Sequence, residues 1–267
     1  MKVELQSLAI ETTNVCNAKC SYCPNSIMIR PKGFMSDEIF EKIVRECKEI
    51  STIEFISMQV LGEPTLDPKL YHRLFHIRKE LPKIKVYLIT NGIRLTKEIV
   101  GMVDHVDVSF NYATKKEYEE GMGLSFENTI EKINSLNNVK DKISIHYVFS
   151  KTTSGHFEML KDIFKGFDVT FNPLFNSWKR ILPDLNIHSF TKRISCSMVR
   201  LQLTILWNGD IVPCCIDYDG SYLIGNVKDK SLLELFNSSY LNKLRELGVG
   251  LDYRGTFCEN CNYNVEV

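Results

Sequence analysis

Short apolar runs alternate with amphipathic helical patterns through the first two thirds of the chain. The runs are typical of strands buried in a sheet, and they lie at 7–12, 53–59, 84–90, 105–110, 142–149 and 168–172. Between them, apolar residues recur at helical spacing behind residues that favour helix N-termini: Ser36, Asp67-Pro68, Thr96, Ser125 and Ser154. Six strand-then-helix units in order predict an α/β fold with a parallel sheet. The pattern leaves open whether that sheet is flat or curls into a partial barrel.

The pattern changes after Pro173, where the chain loses its periodicity and a connector is expected. Beyond the connector lie the signals of a hairpin and a capped helix: the strand-like runs 201–207 and 211–215, the turn Asn208-Gly209, and a capping box of Ser231 and Glu234 ahead of a terminating Gly248. We therefore expect two units, residues 1–178 and a smaller hairpin-plus-helix module over residues 179–267.

Charge and hydropathy narrow the class of partner. Lysine and arginine number 33, aspartate and glutamate also number 33, and the formal net charge is zero. A dedicated nucleic-acid or anionic-membrane binder normally carries a basic excess, so neither partner is expected. No apolar run reaches the ~20 residues of a transmembrane helix. The N-terminal stretch carries Glu4 and Glu11 and no cleavage-site pattern, so it does not predict a signal peptide, and we expect a cytoplasmic protein.

The nine cysteines fall mainly into two groups. Because their number is odd and no secretion signal precedes them, metal ligation is favoured over disulfides. The first group, Cys16, Cys20 and Cys23, follows the first strand-like run directly. On a [4Fe–4S] cluster, three thiolates leave one iron open to a further ligand. A structural zinc site that borrows a distant fourth ligand is the alternative.

The second group, Cys196, Cys214, Cys258 and Cys261, supplies four thiolates in the last quarter of the chain. Four protein ligands would saturate a cluster, which favours a role in electron transfer over one in substrate binding. A zinc site with four cysteine ligands remains the alternative. Cys47 lies on the apolar face of a predicted helix and is expected to be a buried core thiol.

Several short motifs in the first unit resemble the radical S-adenosylmethionine superfamily. They are CNAKCSYCPN (16–25), RPKGFM (30–35), GEP (62–64), ITNG (89–92) and VSF (108–110). The resemblance implies a partial (β/α)6 TIM-like barrel that binds S-adenosylmethionine at the open iron of a [4Fe–4S] cluster. By position in these motifs, the cofactor-binding residues would be Tyr22, Gly62, Glu63, Pro64, Asn91 and Ser109. Leu61 departs from the family pattern, since many members have a second glycine there.

The last quarter is similar to the shortened SPASM module, also called the twitch domain. Cys196 and a Gly209-x4-Cys214 unit are followed by the terminal CENC, and SCSMV (195–199) and GNV (225–227) match as well. The resemblance implies one auxiliary [4Fe–4S] cluster, because the sequence extends only six residues past Cys261. The Gly-x4-Cys spacing selects Cys214 as the ligand, and strand alternation is expected to turn Cys215 to the opposite face.

Polar residues in the predicted strands indicate a cavity. If Ser109 faces the barrel interior, period-two alternation places Asn111 on the same face. The candidates for substrate contacts are Glu11, Gln59, Asn111, His146 and Arg180. His146 fits a hydrogen-bonded core histidine slightly better, and Arg180 fits an exposed surface arginine equally well.

The favoured function is a radical oxidoreductase that dehydrogenates a small polar substrate, with the auxiliary cluster as electron acceptor. The expected cofactors are two [4Fe–4S] clusters and S-adenosylmethionine, served by an external one-electron donor such as a flavodoxin or a ferredoxin. We expect no N-terminal domain that binds a leader peptide, which favours a small substrate. An oxidative maturase or epimerase acting on peptides or proteins is the first alternative, with Cys215 or Cys47 as a hydrogen donor in the epimerase. A non-enzymatic two-cluster electron carrier is the second.

Overall fold

The structure is a computed structural model that describes residues 3–149, 153, 155–173, 192–193, 196–249, 252–259, 261 and 265–266. The strands are β1 Ser7–Ile10, β2 Phe55–Met58, β3 Lys85–Thr90, β4 His105–Ser109, β5 Ile143–Phe149, β6 Asp168–Pro173, β7 Lys192–Arg193, β8 Gln202–Ile205, β9 Asp210–Val212, β10 Gly225–Asn226 and β11 Val265–Glu266. The helices are α1 Asp37–Glu49, α2 Leu70–Glu80, α3 Lys97–Met102, α4 Lys115–Met122, α5 Phe126–Asn134, α6 His156–Ile163, α7 Ser197–Leu201, α8 Leu232–Phe236 and α9 Ser239–Val249.

Nine strands form one sheet in the order β10-β9-β8-β1-β2-β3-β4-β5-β6. Strands β1 to β6 pair in chain order and run parallel. In the described residues the sheet does not close on itself, and the predicted α/β fold with a partial (β/α)6 barrel is confirmed. Strand β8 joins β1 in parallel, from Ser7↔Gln202 to Ile10↔Ile205, and β9 returns antiparallel. The hairpin of the second unit therefore extends the sheet of the first, while the boundary at 178 falls outside the described residues and stays a prediction.

Alternation along the strands separates the core from the inner face of the barrel. The residues that face the helices are apolar and almost fully buried: Leu8, Ile56, Val86, Val106 and Ile145. Many of the residues between them are smaller or polar, namely Ala9, Ser57, Asp107, Ser144 and Thr170, while Phe55 and Tyr87 stack on each other on the same face. Because a barrel filled only for stability would carry apolar side chains inside, this polar lining leaves the inner face available for ligands.

Three of the predicted helix starts are confirmed. Ser36, Thr96 and Ser125 each accept a hydrogen bond from the backbone N–H three residues ahead and cap α1, α3 and α5. Ser154 lies outside the described residues, and α6 begins at His156 after Gly155.

The expected start of α2 at Asp67-Pro68 is wrong. A short 3-10 turn, Pro64–Leu66, intervenes, and α2 begins at Leu70. Asp67 Oδ1 still accepts from Lys69 N–H at 2.9 Å ahead of the helix, while Asp67 Oδ2 accepts from Arg73 Nε at 2.8 Å. The Asp67 and Arg73 side chains are almost completely buried. Asp67 therefore pairs with an arginine of the helix.

The single C-terminal helix expected from Ser231 is two helices. The capping box of Ser231 and Glu234 forms as predicted, but α8 ends at Phe236 and α9 starts at Ser239. Gly248 lies inside α9, where a Cβ atom would come within 2.6 Å of the Tyr253 hydroxyl. Close packing, and not helix termination, explains that glycine. Helix α4, capped by Thr114, is an addition to the predicted elements. Within the described residues, every helix is too short or too polar to span a bilayer.

Candidate functional site

The loop after β1 carries the first cysteine group and is closed by side-chain hydrogen bonds. Lys32 Nζ donates to the backbone oxygens of Asn14 and Asn25, at 3.2 and 3.0 Å. Asn14, which is fully buried, uses its own side chain to bind the backbone of the segment around Lys32. Because Asn14 precedes Cys16 and Asn25 follows Cys23, these bonds tie together the two ends of the cysteine motif.

The three thiols share one desolvated environment. Burial raises the pKa of Cys16 to about 11 and that of Cys20 to about 12, and it also raises the pKa of Cys23. The thiols lie near enough to raise one another's pKa, and the Lys32 ammonium lowers the pKa of Cys16 and Cys23. Tyr22 hydrogen bonds to Cys20, and its own pKa is raised by burial. Neighbouring thiolates repel one another, and a bound metal cluster neutralises that repulsion. The cysteine loop therefore fits a cluster.

Glu63 is a buried carboxylate that lies beside this loop. Its oxygens accept from Thr65 N–H at 3.0 Å, from the Thr65 and Thr90 hydroxyls at 2.6 Å each, and from Asn91 N–H at 2.7 Å. Burial raises the pKa of Glu63 despite these bonds. Among the described residues no cationic side chain pairs with it, while Cys16 is near enough to feel its charge. A fixed carboxylate without a cation partner fits the ammonium group of a ligand.

The two neighbours of Glu63 explain the GEP motif. Gly62 has φ +84°, and a Cβ atom there would lie 2.4 Å from Thr13 O and 2.7 Å from Asn14 Cα. Only glycine allows this approach of the loop after β2 to the cysteine loop. Pro64 is buried at the first position of the 3-10 turn that follows. Both residues therefore orient Glu63, and the geometry gives neither a side-chain contact of its own with a cofactor.

Asn91 directly follows β3, and Ser109 is the last residue of the neighbouring strand β4. Asn91 Nδ2 donates to Asn17 Oδ1 at 2.8 Å, so its side chain touches the cysteine loop. Ser109 is half-buried at the end of β4 and lies in register with His146 of β5. His146 Nδ1 is 3.0 Å from Thr170 Oγ1. Burial lowers the pKa of His146, although Asp107 opposes the shift, so the neutral ring is favoured at neutral pH.

Glu11 has partners that the sequence did not indicate. Arg30 Nη1 and Nη2 donate to its two oxygens at 2.9 and 3.0 Å. The backbone N–H groups of Leu61 and Trp207 donate to the same carboxylate at 3.2 and 3.3 Å. Because Glu11 is fully buried and its charge is already paired with Arg30, it holds parts of the protein together and is not placed to bind a substrate.

The other candidate substrate contacts are placed differently. Gln59 Nε2 donates to Val60 O at 3.1 Å and the residue remains partly exposed on the inner face. Asn111 is buried, and its Oδ1 accepts from Val148 N–H at 2.9 Å, so the side chain joins β4 to β5. Arg180 lies outside the described residues. Gln59 and His146 are therefore the candidates that the described structure leaves beside the inner face.

The second cysteine group is more enclosed than the first. Cys196, Cys214 and Cys258 are 6%, 5% and 4% exposed, and Cys261 is half-buried. Burial raises the pKa of Cys214 well above its usual range, with further contributions from Cys215, Cys261 and Cys258. These groups therefore lie together at one end of the module, as a shared metal site requires.

Cys215 lies on this same site, and the expectation that it points to the opposite face is wrong. Burial raises its pKa to about 12, and Cys261 and Cys196 add to the shift. Strand β9 ends at Val212, and a turn closed by Asp217 N–H to Cys214 O at 3.1 Å follows, so strand alternation does not extend to Cys215. The thiol also packs against an apolar group of the inner face, Ala9, Val60, Leu206 and Val212.

The cysteine groups can also be compared with a site for a single metal ion such as zinc. In the portion of the chain that the structure describes, no three His, Cys, Asp or Glu side chains converge closely enough for one metal ion. A zinc ion needs its sulfur ligands about 2.3 Å from one point. A four-iron cluster is larger and accepts more widely separated thiols.

Sequence reasoning missed the residues that position these groups. Arg30 and Lys32 belong to RPKGFM, which was noted only as a stretch similar to relatives, and Thr65 and Thr90 flank the motifs that hold Glu63. A cation a few residues after a cysteine motif is the signal from which Arg30 and Lys32 could have been found.

Two family models match this chain. The model described as the Radical SAM superfamily matches residues 10–163, and the model described as the SPASM iron–sulfur cluster-binding domain matches residues 196–262. These are the two families that the motifs resemble. They imply a [4Fe–4S] cluster with S-adenosylmethionine and a further iron–sulfur cluster, in agreement with the expected cofactors.

Individual relatives are distant but cover nearly the whole chain. The S-adenosyl-L-methionine-dependent 2-deoxy-scyllo-inosamine dehydrogenase of Niallia circulans is 22% identical over 97% of this chain and 93% of that protein. A cysteine-type anaerobic sulfatase-maturating enzyme of Clostridium novyi (strain NT) is 24% identical over 97% of this chain and 85% of that protein. The crystal structure of BtrN in complex with AdoMet and 2-DOIA superposes with a TM-score of 0.70 at 18% identity, over 98% of this chain and 94% of the other. The structural likeness shows a shared fold.

Proposed function

Since the chain belongs to the radical SAM superfamily, whose model matches residues 10–163, we propose that it dehydrogenates a small polar substrate by a net two-electron oxidation. The observation that carries this proposal is the contrast between two cysteine groups attached to one sheet. The thiols of one group are half-buried beside a buried carboxylate that has no cation partner in the described residues, and three of the four thiols of the other group are buried. An open site suits a cofactor and substrate, and a closed one suits electron transfer.

Cys16, Cys20 and Cys23 would hold the first cluster, and Glu63 would receive the ammonium of S-adenosylmethionine. When bound, the cluster and S-adenosylmethionine supply a 5′-deoxyadenosyl radical that removes one hydrogen atom from the substrate. The polar inner face beside Ser109 would position the reacting C–H bond and exclude water from it. Tyr22 and Asn91 would shape the loop around the cofactor, since both bond to that loop.

Dehydrogenation then requires acceptors for one further electron and one proton. The second cysteine group would hold the electron acceptor. An apolar group of Ala9, Val60, Leu206 and Val212 lies on the inner face against Cys215. The side of the second cysteine group that faces the barrel is therefore apolar. Cys196, Cys214, Cys258 and Cys261 would ligate the cluster, as the matched spacing implies.

His146 would accept the proton. Its Nδ1 is already engaged with Thr170 Oγ1, which leaves Nε2 as the ring nitrogen for the substrate hydroxyl. The lowered pKa of His146 keeps the ring neutral and able to take a proton near pH 7. Asp107 on β4 is near enough to raise the pKa of His146, and Asp168 on β6 accepts from the Ser144 hydroxyl, two residues before His146 on β5. The resulting imidazolium would be stabilised by Asp107.

A second candidate substrate class is a peptide or protein side chain. It is favoured by the similarity to a sulfatase-maturating enzyme over 97% of the chain. Oxidation of such a side chain also releases one further electron and one proton. The second cysteine group and His146 would therefore serve this reaction as they would serve the oxidation of an alcohol. In either case a low-potential one-electron donor protein would reduce the first cluster.

The test is anaerobic reconstitution, followed by incubation with S-adenosylmethionine and 2-deoxy-scyllo-inosamine or a cysteine-containing sulfatase peptide. We expect 5′-deoxyadenosine and an oxidised product in one of the two incubations. From the inosamine this is a ketone that has lost two hydrogens, and from the peptide it is the aldehyde formed when water displaces hydrogen sulfide from the two-electron-oxidised cysteine. His146→Gln should keep cofactor cleavage and lower product formation, with a shifted pH profile. A product of unchanged mass that carries solvent deuterium would overturn the oxidation in favour of epimerisation. Protein that holds two clusters but forms no 5′-deoxyadenosine would indicate an electron carrier.

A further inference from the structure

A buried ion pair lies between the two cysteine groups. The Arg30 guanidinium meets the Glu11 carboxylate through two parallel hydrogen bonds of 2.9 and 3.0 Å. The side chains are 9% and 0% exposed. Two parallel charge-assisted bonds away from water make this contact much stronger and more directional than a surface pair.

The pair connects the cysteine loop to the second unit. Arg30 Nε donates to Tyr218 O at 2.6 Å, and the neighbouring Ile29 N–H donates to Asp219 Oδ1 at 2.9 Å. Tyr218 and Asp219 lie on the loop that leaves Cys214 and Cys215. One arginine thus bonds at the same time to the end of β1 and to the loop of the second cysteine group.

Glu11 also binds two further segments, the loop after β2 and the β8–β9 turn. Its carboxylate accepts from Leu61 N–H, next to Gly62 and Glu63, and from Trp207 N–H in the β8–β9 turn. Trp207 Nε1 in turn donates to Pro31 O at 3.2 Å. The carboxylate therefore joins the loop that carries the cofactor-binding glutamate to the hairpin of the second unit.

We propose that the Glu11–Arg30 pair is a positioning device that fixes the loops of the two cysteine groups against each other and so sets the separation of their clusters. The proposal rests on the two-cluster function proposed above. A lysine at position 30 would keep the charge but could not bond both Glu11 oxygens and Tyr218 O together, because it lacks the planar fork of arginine. Electron transfer between the groups depends on the separation that this contact maintains.

The first measurement uses the reconstituted, substrate-free holoprotein. In the reduced wild type, we expect the spectra of the two clusters by electron paramagnetic resonance to show mutual magnetic broadening. Arg30→Lys and Arg30→Met should retain the iron content of the wild type and lose part of that broadening. With substrate, the fraction of cofactor cleavage that leads to product should fall, while cleavage itself continues.

The second measurement needs neither cluster. Trp207 is the tryptophan in this contact, so in a Trp178→Phe background its fluorescence reports whether the hairpin turn stays on the cysteine loop. In the apoprotein we expect Arg30→Lys and Glu11→Gln to shift the Trp207 emission to the red. If the wild type holds no second cluster, the proposed electron acceptor is wrong, and this measurement still decides whether the ion pair positions the two loops.

Arg73→Lys is the matched control. Arg73 forms a comparably buried pair with Asp67, at 2.8 Å, on the helical side of the barrel. Its substitution should lower stability without changing the magnetic broadening or the Trp207 emission. The positioning role is overturned if the Arg30 variants match the wild type in both measurements, or if Arg73→Lys changes them equally. It is also overturned if every Glu11 and Arg30 variant fails to fold while Arg73→Lys folds, because the pair would then be purely stabilising.

Discussion

The two cysteine groups differ in how much of their surroundings the protein itself supplies. Cys16, Cys20 and Cys23 lie half-exposed on a loop, next to Glu63 and the polar inner face of the barrel. In the second group, Cys196, Cys214 and Cys258 are each less than a tenth exposed, with Cys215 packed among them. The first arrangement leaves unmatched charge for a ligand, whereas the second buries three of its four thiols.

This difference shows how one kind of cofactor can serve two purposes in one fold. The number of protein ligands decides whether an iron is open to a ligand, and burial decides whether a substrate can reach it. The two sites are also held differently. Side-chain bonds from Lys32 and Asn14 close the first loop, whereas the second group is assembled from β9, α7 and the C-terminal segment.

We expect the largest effect when only the first cysteine group is removed. Substituting Cys16, Cys20 and Cys23 with alanine should abolish cofactor cleavage and leave about four of about eight irons per chain, because the enclosed group keeps its own ligands. Iron and sulfide analysis and an assay for 5′-deoxyadenosine measure the two effects. Retention of about eight irons would mean that the open group does not hold a cluster.

The matched control for this variant is Cys47→Ala. Cys47 is buried on α1 at 2% exposure, away from both groups. Its substitution should lower stability and leave iron content and cofactor cleavage unchanged.

Regular elements could be predicted from the sequence because their signals are local. The six parallel strands follow from apolar runs, and the caps at Ser36, Thr96 and Ser125 follow from single side chains that bond within their own turn. The cysteine groups could be predicted in the same way, because the spacing between the cysteines is visible in the sequence. At Asp67 the start of α2 was placed too early, because a 3-10 turn precedes the helix and the carboxylate is shared between Lys69 N–H and the Arg73 guanidinium.

Contacts between distant segments could not be predicted. Glu11 meets Arg30, Leu61 and Trp207, and no periodicity relates those positions. A polar residue at the end of β1 is equally compatible with a cavity wall and with a buried ion pair. Cys215 was misplaced for a related reason, because the end of β9 at Val212 depends on pairing with β8.

We expect a smaller effect when only one of the adjacent cysteines of the second group, Cys214 or Cys215, is substituted. Cys214→Ser should reduce the iron content to about four per chain and suppress product, because the Gly-x4-Cys spacing makes Cys214 the ligand. Some cofactor cleavage should persist, since the open site is intact. Cys215→Ser is the control and should retain about eight irons.

Iron content by metal analysis, with 5′-deoxyadenosine and product quantified in parallel, distinguishes the two variants. The opposite pattern, with iron lost in Cys215→Ser and kept in Cys214→Ser, would exchange the ligand assignment. Such an exchange is geometrically available because Cys215 also lies beside Cys261 and Cys196.

The smallest expected effect tests the unmatched charge that distinguishes the open site. Glu63→Gln preserves the size of the side chain but removes its charge, so S-adenosylmethionine should bind about 10- to 100-fold more weakly through loss of a charge-assisted hydrogen bond. Iron content should be unchanged, because Glu63 is not a ligand. Equilibrium binding to the reconstituted protein measures the affinity. Asp104→Asn is the control: it alters a carboxylate bound by Arg78 Nη2 and Val86 N–H at the opposite end of the barrel. An equal loss of affinity in both variants, or none in Glu63→Gln, would remove Glu63 from the cofactor site.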